Sequence, residues 1–305
     1  MLKEQILTLF HGRLRSAIEA AVGNFDNLQE IRIRAGQPVI IIQNVEEILL
    51  YEHITLKDIK SIIEAACGYS GYAYEEEISR GYLTIEGGHR IGLTGRAVFN
   101  GQKIQTIKHI SGLAIRVAHP VVGCADPWKS YLYQEIRPCH VLIISPPGCG
   151  KTTLLRDIIR LFSNGDDKRG GLTVGVVDER SEIAGTYRGM TTHDLGMRTD
   201  VLDGCPKVYG MEMLVRSMAP KVLAVDEIGT GDVTAVENAL RCGCHMLSTM
   251  HGETMADFLE KPGFAALADA KVFERYIFMK PGEKPGQVAV IYGQNFEILW
   301  EDACT

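Results

Sequence analysis

Long hydrophobic runs, paired cysteines and a secretion signal are all missing from this sequence. Its apolar runs, such as Val141–Ile144, are far shorter than the ~20 residues that a membrane helix requires. The 8 cysteines are dispersed without a CxxC pair, and the single Cys242-Gly-Cys244 gives little support for a metal site. No basic, then apolar, stretch follows Met1. We therefore expect a cytoplasmic protein with reduced thiols and no direct membrane insertion, peripheral to a membrane only through partners.

An excess of basic charge is also missing. Lys and Arg number 32 against 38 Asp and Glu, which gives a net charge of −6. Proteins built around the phosphate backbone of nucleic acid usually present a basic face, so the sequence carries no strong nucleic-acid signal, although a local basic groove stays open. Apolar residues make up 46% of the 305 residues, enough to build two domains with sizeable cores.

The first part of the chain, 1–120, predicts a small α+β domain. Apolar residues at helical spacing run from Leu2 to Val22, and a capped helix is expected from Thr55 to near Gly68. Alternating patterns predict the strands 31–34, 39–42, 82–85, 89–99, 104–107 and 113–117. A stretch with two prolines and a glycine, 118–127, is interpreted as the linker.

The second part, 121–305, has a different organisation. Apolar strands alternate with helices, which predicts an α/β domain with a mainly parallel sheet and crossover helices. The predicted strands are 140–145, 173–178, 221–226 and 245–250, and the predicted helices are 152–162, 210–218 and 232–241. The long polar segment 184–208 is typical of a functional loop, and 288–292 with 296–300 predicts a hairpin.

A phosphate-binding loop is the most informative motif. The predicted strand 140–145 leads into a Pro/Gly turn that ends in Gly-Lys-Thr and opens an amphipathic helix. Glycine lets backbone N–H groups converge on phosphate oxygens, the helix N-terminus adds positive potential, the lysine reaches the terminal phosphates, and the threonine hydroxyl ligates Mg²⁺. We expect ATP to bind through Pro147, Gly148, Cys149, Gly150, Lys151, Thr152 and Thr153. Ser145 replaces the first glycine of the usual pattern.

Carboxylates follow two predicted strands that should end beside this loop. Asp226 is expected to hold Mg²⁺ together with Thr152, and Glu227 to polarise the attacking water as the catalytic base. Glu179 and Glu182 belong to a second acidic stretch, 178–182, and are assigned to positioning the metal or the water. His251 ends the next strand, where it is suited to sensing the terminal phosphate.

These motifs together resemble the secretion-type ATPases of the AAA+-like P-loop group, which serve type II and type IV secretion and pilus machines. The chain is more closely similar to the stage III sporulation protein AA family. The resemblance covers nearly the whole chain and is carried by the segments 30–38, 88–95, 146–153, 178–184, 198–206 and 216–220. Departures are Ser145 in the loop and Asp226, where secretion ATPases often carry glycine.

The resemblance implies a RecA-like ATPase domain behind the N-terminal domain, assembled as a ring, a hexamer. It also implies a motor that works with membrane proteins of a secretion-like channel during endospore formation. Arginines stabilise transition-state charge in such rings, and Arg90 and Arg116 are the candidates, with Arg96 beside them. Two other hypotheses stay open: a nucleotide-gated nucleic-acid-binding protein, and a ring that binds ATP for structure with little turnover.

Overall fold

The computed structural model describes residues 2–44, 46–68, 74–282 and 286–303, with only the backbone of Lys103. The chain divides into two compact units. The first contains Met1–Pro120 and Gly185–Thr192, and the second contains Val121–Ala184 and His193–Thr305. The segment Gly185–Thr192, which follows the second acidic stretch, belongs to the first unit, where Tyr187 packs against the core.

The first unit is an antiparallel sheet with helices. Its elements are α1 (Leu2–Leu7), α2 (Gly12–Ala21), β1 (Leu28–Arg34), β2 (Val39–Gln43), β3 (Glu46–Leu50), α3 (Leu56–Ala66), α4 (Glu75–Arg80), β4 (Tyr82–Ile85), β5 (His89–Asn100) and β6 (Lys103–Arg116). The strand order is β3-β2-β1-β6-β5-β4, with every neighbouring pair antiparallel. The predicted start of α3 is confirmed, because Thr55 and Asp58 form a capping box.

Two predictions for this unit need correction. The periodic stretch Leu2–Val22 forms two helices, because the chain turns after α1 to bury Leu9 and Phe10, and Gly12 adopts a positive φ of 54°. The predicted strands 104–107 and 113–117 are parts of one strand, β6, which pairs along its length with β5.

The second unit has an eight-stranded sheet in the order β13-β12-β14-β15-β9-β16-β17-β18. Its strands are β7 (Tyr133–Gln134), β8 (Arg137–Pro138), β9 (Val141–Ser145), β10 (Gly165–Asp166), β11 (Arg169–Gly170), β12 (Val174–Asp178), β13 (Thr199–Asp203), β14 (Val222–Val225), β15 (His245–His251), β16 (Arg275–Met279), β17 (Val288–Gly293) and β18 (Ile298–Glu301). Its helices are α5 (Lys151–Asn164), α6 (Lys207–Met218), α7 (Val233–Arg241), α8 (Met255–Glu260) and α9 (Phe264–Asp269).

The prediction of a mainly parallel sheet is confirmed. The strands β13, β12, β14, β15, β9 and β16 are parallel to one another, and β17 and β18 add an antiparallel edge. The hairpin predicted near the C-terminus is this β17–β18 pair. Two strands of this sheet were missed: β13, which lies in the segment interpreted as a loop, and β16, which pairs with β9.

The centre of this sheet is buried on both faces. All residues of β9 and β14 are buried, as parallel strands covered by helices require. One core contains the apolar face of α5, and the other contains buried residues of α6, α7, α8 and α9. In the described part of the chain, no helix combines the length and apolar character needed to cross a bilayer.

Candidate active site

Functional side chains collect at the carboxyl ends of neighbouring parallel strands. β9 runs into the phosphate loop, β12 ends at Asp178, β14 precedes Asp226, and β15 ends at His251. The order β12-β14-β15-β9 makes these four strands consecutive in the sheet. Because parallel strands share one carboxyl edge, motifs far apart in sequence meet in one crevice of the second unit.

The phosphate loop has the backbone that its glycines allow. Gly148 and Gly150 adopt positive φ values of 81° and 86°, which residues with a Cβ rarely adopt. Gly150 caps α5, so Lys151 is its first residue, and Lys151 is only 6% exposed. Ser145, which replaces the expected first glycine, is instead the last residue of β9 and pairs with His251 in the sheet. Serine is tolerated there because the position is extended strand.

Lys151, Glu227 and His251 form one cluster. The Lys151 Nζ lies 3.1 Å from a Glu227 carboxylate oxygen, and the His251 Nε2 lies 2.8 Å from the same oxygen. Burial favours a higher pKa for Glu227, but the hydrogen bond and charge of Lys151, followed by the charge of His251, hold its pKa below the usual value. Glu227 is therefore ionised at neutral pH. Its φ of 53° is an uncommon conformation for a residue with a Cβ, and such strain clusters at functional sites.

Asp226 faces the threonine at the start of α5. The Thr152 hydroxyl donates a hydrogen bond of 2.7 Å to Asp226 Oδ2, so both predicted metal ligands lie together. The other Asp226 oxygen accepts from the Thr249 hydroxyl, and Thr249 Oγ1 in turn accepts from the Glu227 backbone N–H at 2.8 Å. Thr249 thus orients both strand-end acids. Sequence reasoning missed it, although it lies two residues before His251 and so on the same face of β15.

For the ATP hydrolysis that the sequence predicts, we expect Thr249→Val to lower the turnover by about tenfold, the effect of losing about 1.4 kcal/mol from one hydrogen-bonded group. Valine keeps the shape but can neither accept from the Glu227 N–H nor donate to Asp226. Steady-state phosphate release measures this, and Thr249→Ser should restore most of the rate. Equal rates in the serine and valine variants would contradict the assigned role of the hydroxyl.

Asp178 holds the backbone of the second acidic stretch. Its carboxylate is 2% exposed and accepts from the N–H groups of Glu182, Ile183 and Ala184 at 2.8–2.9 Å. Arg156 fixes the same turn by donating to the carbonyls of Glu182 and Ile183 at 2.9 and 2.8 Å. Burial raises the pKa of Asp178 to about 6, even though the three N–H donors act in the opposite direction. Both Asp178 oxygens are therefore used to build the loop.

Asp178→Ala should lower the free energy of unfolding by about 3 kcal/mol, because it leaves buried N–H groups without acceptors. The loss of unfolding free energy caused by Asp178→Ala should depend on pH. Since the folded pKa of about 6 lies above the ordinary value of ~3.9, the contribution of Asp178 is present at low pH and lost as pH rises through about 6. Urea unfolding should show the gap between wild type and variant shrinking by about 1.4 kcal/mol from about pH 5 to about pH 8. A gap that is constant over this range would contradict the assigned environment.

Glu179 and Glu182 have different positions in the stretch. Glu179 pairs with Lys207 at 3.5 Å, and the Lys207 Nζ also donates to the Glu227 carbonyl at 2.6 Å. Arg180 lies 3.6 Å from the Glu227 carboxylate. Glu182 contributes its backbone N–H and carbonyl to the turn around Asp178. Lys207, the first residue of α6, thus connects the two acidic stretches, and nothing in the sequence singled it out.

The two arginines assigned to the reaction lie in the first unit. They are directly opposite each other on β5 and β6. Arg90 stacks over the Tyr82 ring at 3.8 Å, and Arg116 lies 3.4 Å from the Glu30 carboxylate. Their role in the reaction stays a prediction.

A further group of polar side chains lies at the amino ends of β15, β9 and β16. His140, His245 and Glu274 approach one another closely enough to suggest a metal site. However, both Glu274 oxygens are paired with Arg137, one of them also accepts from the His140 N–H, and His140 Nδ1 accepts from the Met246 N–H. Burial lowers the pKa of His140 to about 4. We interpret this group as an ion-paired clamp across three strands.

The donor set of the crevice fits a magnesium nucleotide. Gly148 and Gly150 have the positive φ values of loops whose backbone N–H groups bind anions, and Lys151 provides a buried cation in the same loop. Hydroxyl and carboxylate oxygens, which Mg²⁺ prefers, meet where Thr152 contacts Asp226. An ionised carboxylate, Glu227, lies within hydrogen-bonding distance of Lys151.

Comparison with solved structures agrees with this architecture. The ATPase DotB of Legionella pneumophila superposes with a TM-score of 0.57 at 15% identity, over 87% of this chain and 75% of DotB. The pilus retraction motor PilT, solved with bound ADP, gives a TM-score of 0.57 at 15% identity, over 98% of this chain and 84% of PilT. At such identities the likeness shows the fold alone, which is that of the secretion-type ATPases.

Sequence relatives define the family more narrowly. The family model for sporulation stage III, protein AA matches residues 1–299. Stage III sporulation protein AA of Bacillus subtilis (strain 168) is 40% identical over 273 residues, which cover 89% of each chain. With a family model over nearly its full length and a relative of this similarity, the chain belongs to the stage III sporulation protein AA family.

Proposed function

We propose that this protein hydrolyses ATP with Mg²⁺ and acts as a ring-forming motor that energises a secretion-like membrane channel during endospore formation. The observation that carries the hydrolytic part is the 3.1 Å contact between Lys151 and Glu227. This contact supports a site in the second unit at which a single nucleotide contacts both the phosphate-loop lysine and the strand-end acid.

The chemistry follows from the positions of the side chains. Lys151 and the loop N–H groups bind the terminal phosphates of ATP and stabilise the negative charge that develops on transfer. Glu227 orients the attacking water and accepts its proton, while His251 contacts the same carboxylate and reports on the terminal phosphate. Thr152 and Asp226 would hold Mg²⁺, which neutralises phosphate charge when bound.

The biological part of the proposal rests on relatives. The membership of this chain in a sporulation family supports a role in endospore formation. The fold that it shares with a pilus retraction motor supports conversion of ATP hydrolysis into mechanical work. We propose that the working form is a hexameric ring in which Arg90 or Arg116 of one subunit serves the nucleotide of its neighbour. Membrane proteins of the sporulation channel would be the docking partners.

Phosphate release by the purified full chain, measured with Mg²⁺ and with EDTA in its place, tests the hydrolytic part. We expect turnover that requires the metal. If ATP binds but is not hydrolysed, the result would favour the alternative in which ATP has a structural role.

Size-exclusion chromatography with light scattering, with and without Mg-ATP, tests the ring. A monomer at every protein concentration would contradict the assembly.

A further inference from the structure

Part of the β5–β6 hairpin extends beyond the rest of its sheet. β4 pairs with β5 only as far as Gly92, and β1 pairs with β6 only from Gly112 onward. Between them, the residues from Arg96 to Lys108 pair with each other, and the described residues supply no third strand there. We call this segment, 95–110, the ribbon.

The end of the ribbon is apolar and exposed. Phe99 and Ile104 are directly opposite each other in the ladder, so their side chains share one face. They are 62% and 42% exposed. Large apolar side chains at the end of a projecting hairpin indicate a surface that contacts something other than water.

The charge of the ribbon has one sign. Arg96, Lys103 and Lys108 lie within it without any Asp or Glu, although the whole chain has a net charge of −6. The helix α4 packs against β6 and carries three glutamates at positions 75–77. Two of these are engaged: Glu76 pairs with Arg80 at 2.7 Å, and Glu77 accepts from the Thr84 N–H at 2.6 Å. These glutamates lie outside the ribbon, whose own charged side chains are all positive and would complement an anionic partner.

We propose that the ribbon binds the surface of an anionic lipid bilayer. Basic side chains near such a surface each contribute about 1 kcal/mol of attraction. Apolar side chains between them can enter the boundary between headgroups and acyl chains without crossing the bilayer. A nucleic-acid backbone would satisfy the cations but would not bury Phe99 and Ile104, whereas an anionic bilayer fits both features. The proposal is independent of ATP hydrolysis.

Co-sedimentation of the full chain with vesicles tests this proposal. We expect binding to phosphatidylcholine vesicles that contain phosphatidylglycerol, weaker binding at high salt, and none to phosphatidylcholine alone. Arg96→Glu with Lys108→Glu should lower the partition coefficient by about 30-fold or more, since two attractions of about 1 kcal/mol each are lost. Phe99→Ala with Ile104→Ala should lower it by about tenfold.

Matched variants in the same unit serve as controls. Leu49→Ala with Tyr51→Ala removes apolar side chains that are 45% and 80% exposed elsewhere, and Lys57→Glu with Lys60→Glu reverses two charges on α3. Both should bind as wild type does, and circular dichroism checks that all variants fold. The proposal is overturned if anionic vesicles do not bind, or if ribbon and control variants bind equally. Ribbon-dependent capture by single-stranded nucleic acid without vesicle binding would also overturn it.

Discussion

Lys151→Ala should weaken ATP binding by at least about 30-fold, the effect of losing about 2 kcal/mol when one partner of a buried, charge-assisted contact is removed. Lys151 is 6% exposed, so water cannot replace its ammonium group at the phosphates. Titration with a fluorescent ATP analogue measures the loss. Loss of binding should also abolish turnover at ATP concentrations that saturate the wild type.

The control for this variant is Lys129→Ala, which also removes a lysine of the second unit and breaks an ion pair with Asp166 of 3.1 Å. It should bind ATP as wild type does. Thermal unfolding must be compared as well, because Lys151→Ala leaves the partly buried Glu227 carboxylate without its closest lysine. Undiminished ATP affinity in a folded Lys151→Ala protein would refute the loop assignment.

The phosphate loop and the parallel sheet could be predicted because their signals are local. A buried strand, a glycine turn and an amphipathic helix follow one another within 140–164, and each element has a sequence pattern of its own. The acids after β12 and β14 could be placed at the same edge because parallel strands share a direction. Those inferences needed no knowledge of which strands are neighbours.

The rest depends on contacts between distant residues. β13 is partly buried from Thr199 to Leu202 without alternation and lies inside a polar segment, so only its pairing with β12 identifies it as a strand. Thr249 and Lys207 reach the acids from β15 and α6, and no sequence motif assigns either residue a role at the site. The helical spacing of apolar residues from Leu2 to Val22 correctly predicts helical structure. It does not predict the break before Gly12, because that turn depends on burying Leu9 and Phe10 in the core.

Asp178 belongs to the second acidic stretch but has a role that its residue type and position do not predict. Metal or water positioning was assigned to Glu179 and Glu182 of this stretch, without a separate role for Asp178. In the fold, its oxygens accept three backbone N–H groups, and the neighbouring Arg156 holds two carbonyls of the same turn. The carboxylate thus shapes the loop that presents Glu179 to Lys207, and acts on the site through backbone geometry.

Glu227→Gln should lower the turnover number by a factor of about 10²–10⁴ while ATP binding is retained, the range expected when a general base is removed. Glutamine keeps the size and can still accept from Lys151, but it cannot take a proton from water. Because the pKa of Glu227 lies below its usual value, wild-type activity should stay constant around neutrality and fall only as pH drops through that lowered pKa. Single-turnover measurements at saturating ATP separate this loss from binding and product release.

Glu253→Gln provides the matched control, since Glu253 is an exposed glutamate two residues after His251. It should keep wild-type turnover. If Glu227→Gln also kept it, the base would have to be another carboxylate of the crevice, and Glu179→Gln would then be the variant that loses activity. If Glu227→Gln instead lost ATP binding, the contact of 3.1 Å with Lys151 would serve to hold the lysine in place and not to prepare the attacking water. Measuring both turnover and ATP binding therefore distinguishes Glu227 as the catalytic base from Glu227 as a support for Lys151.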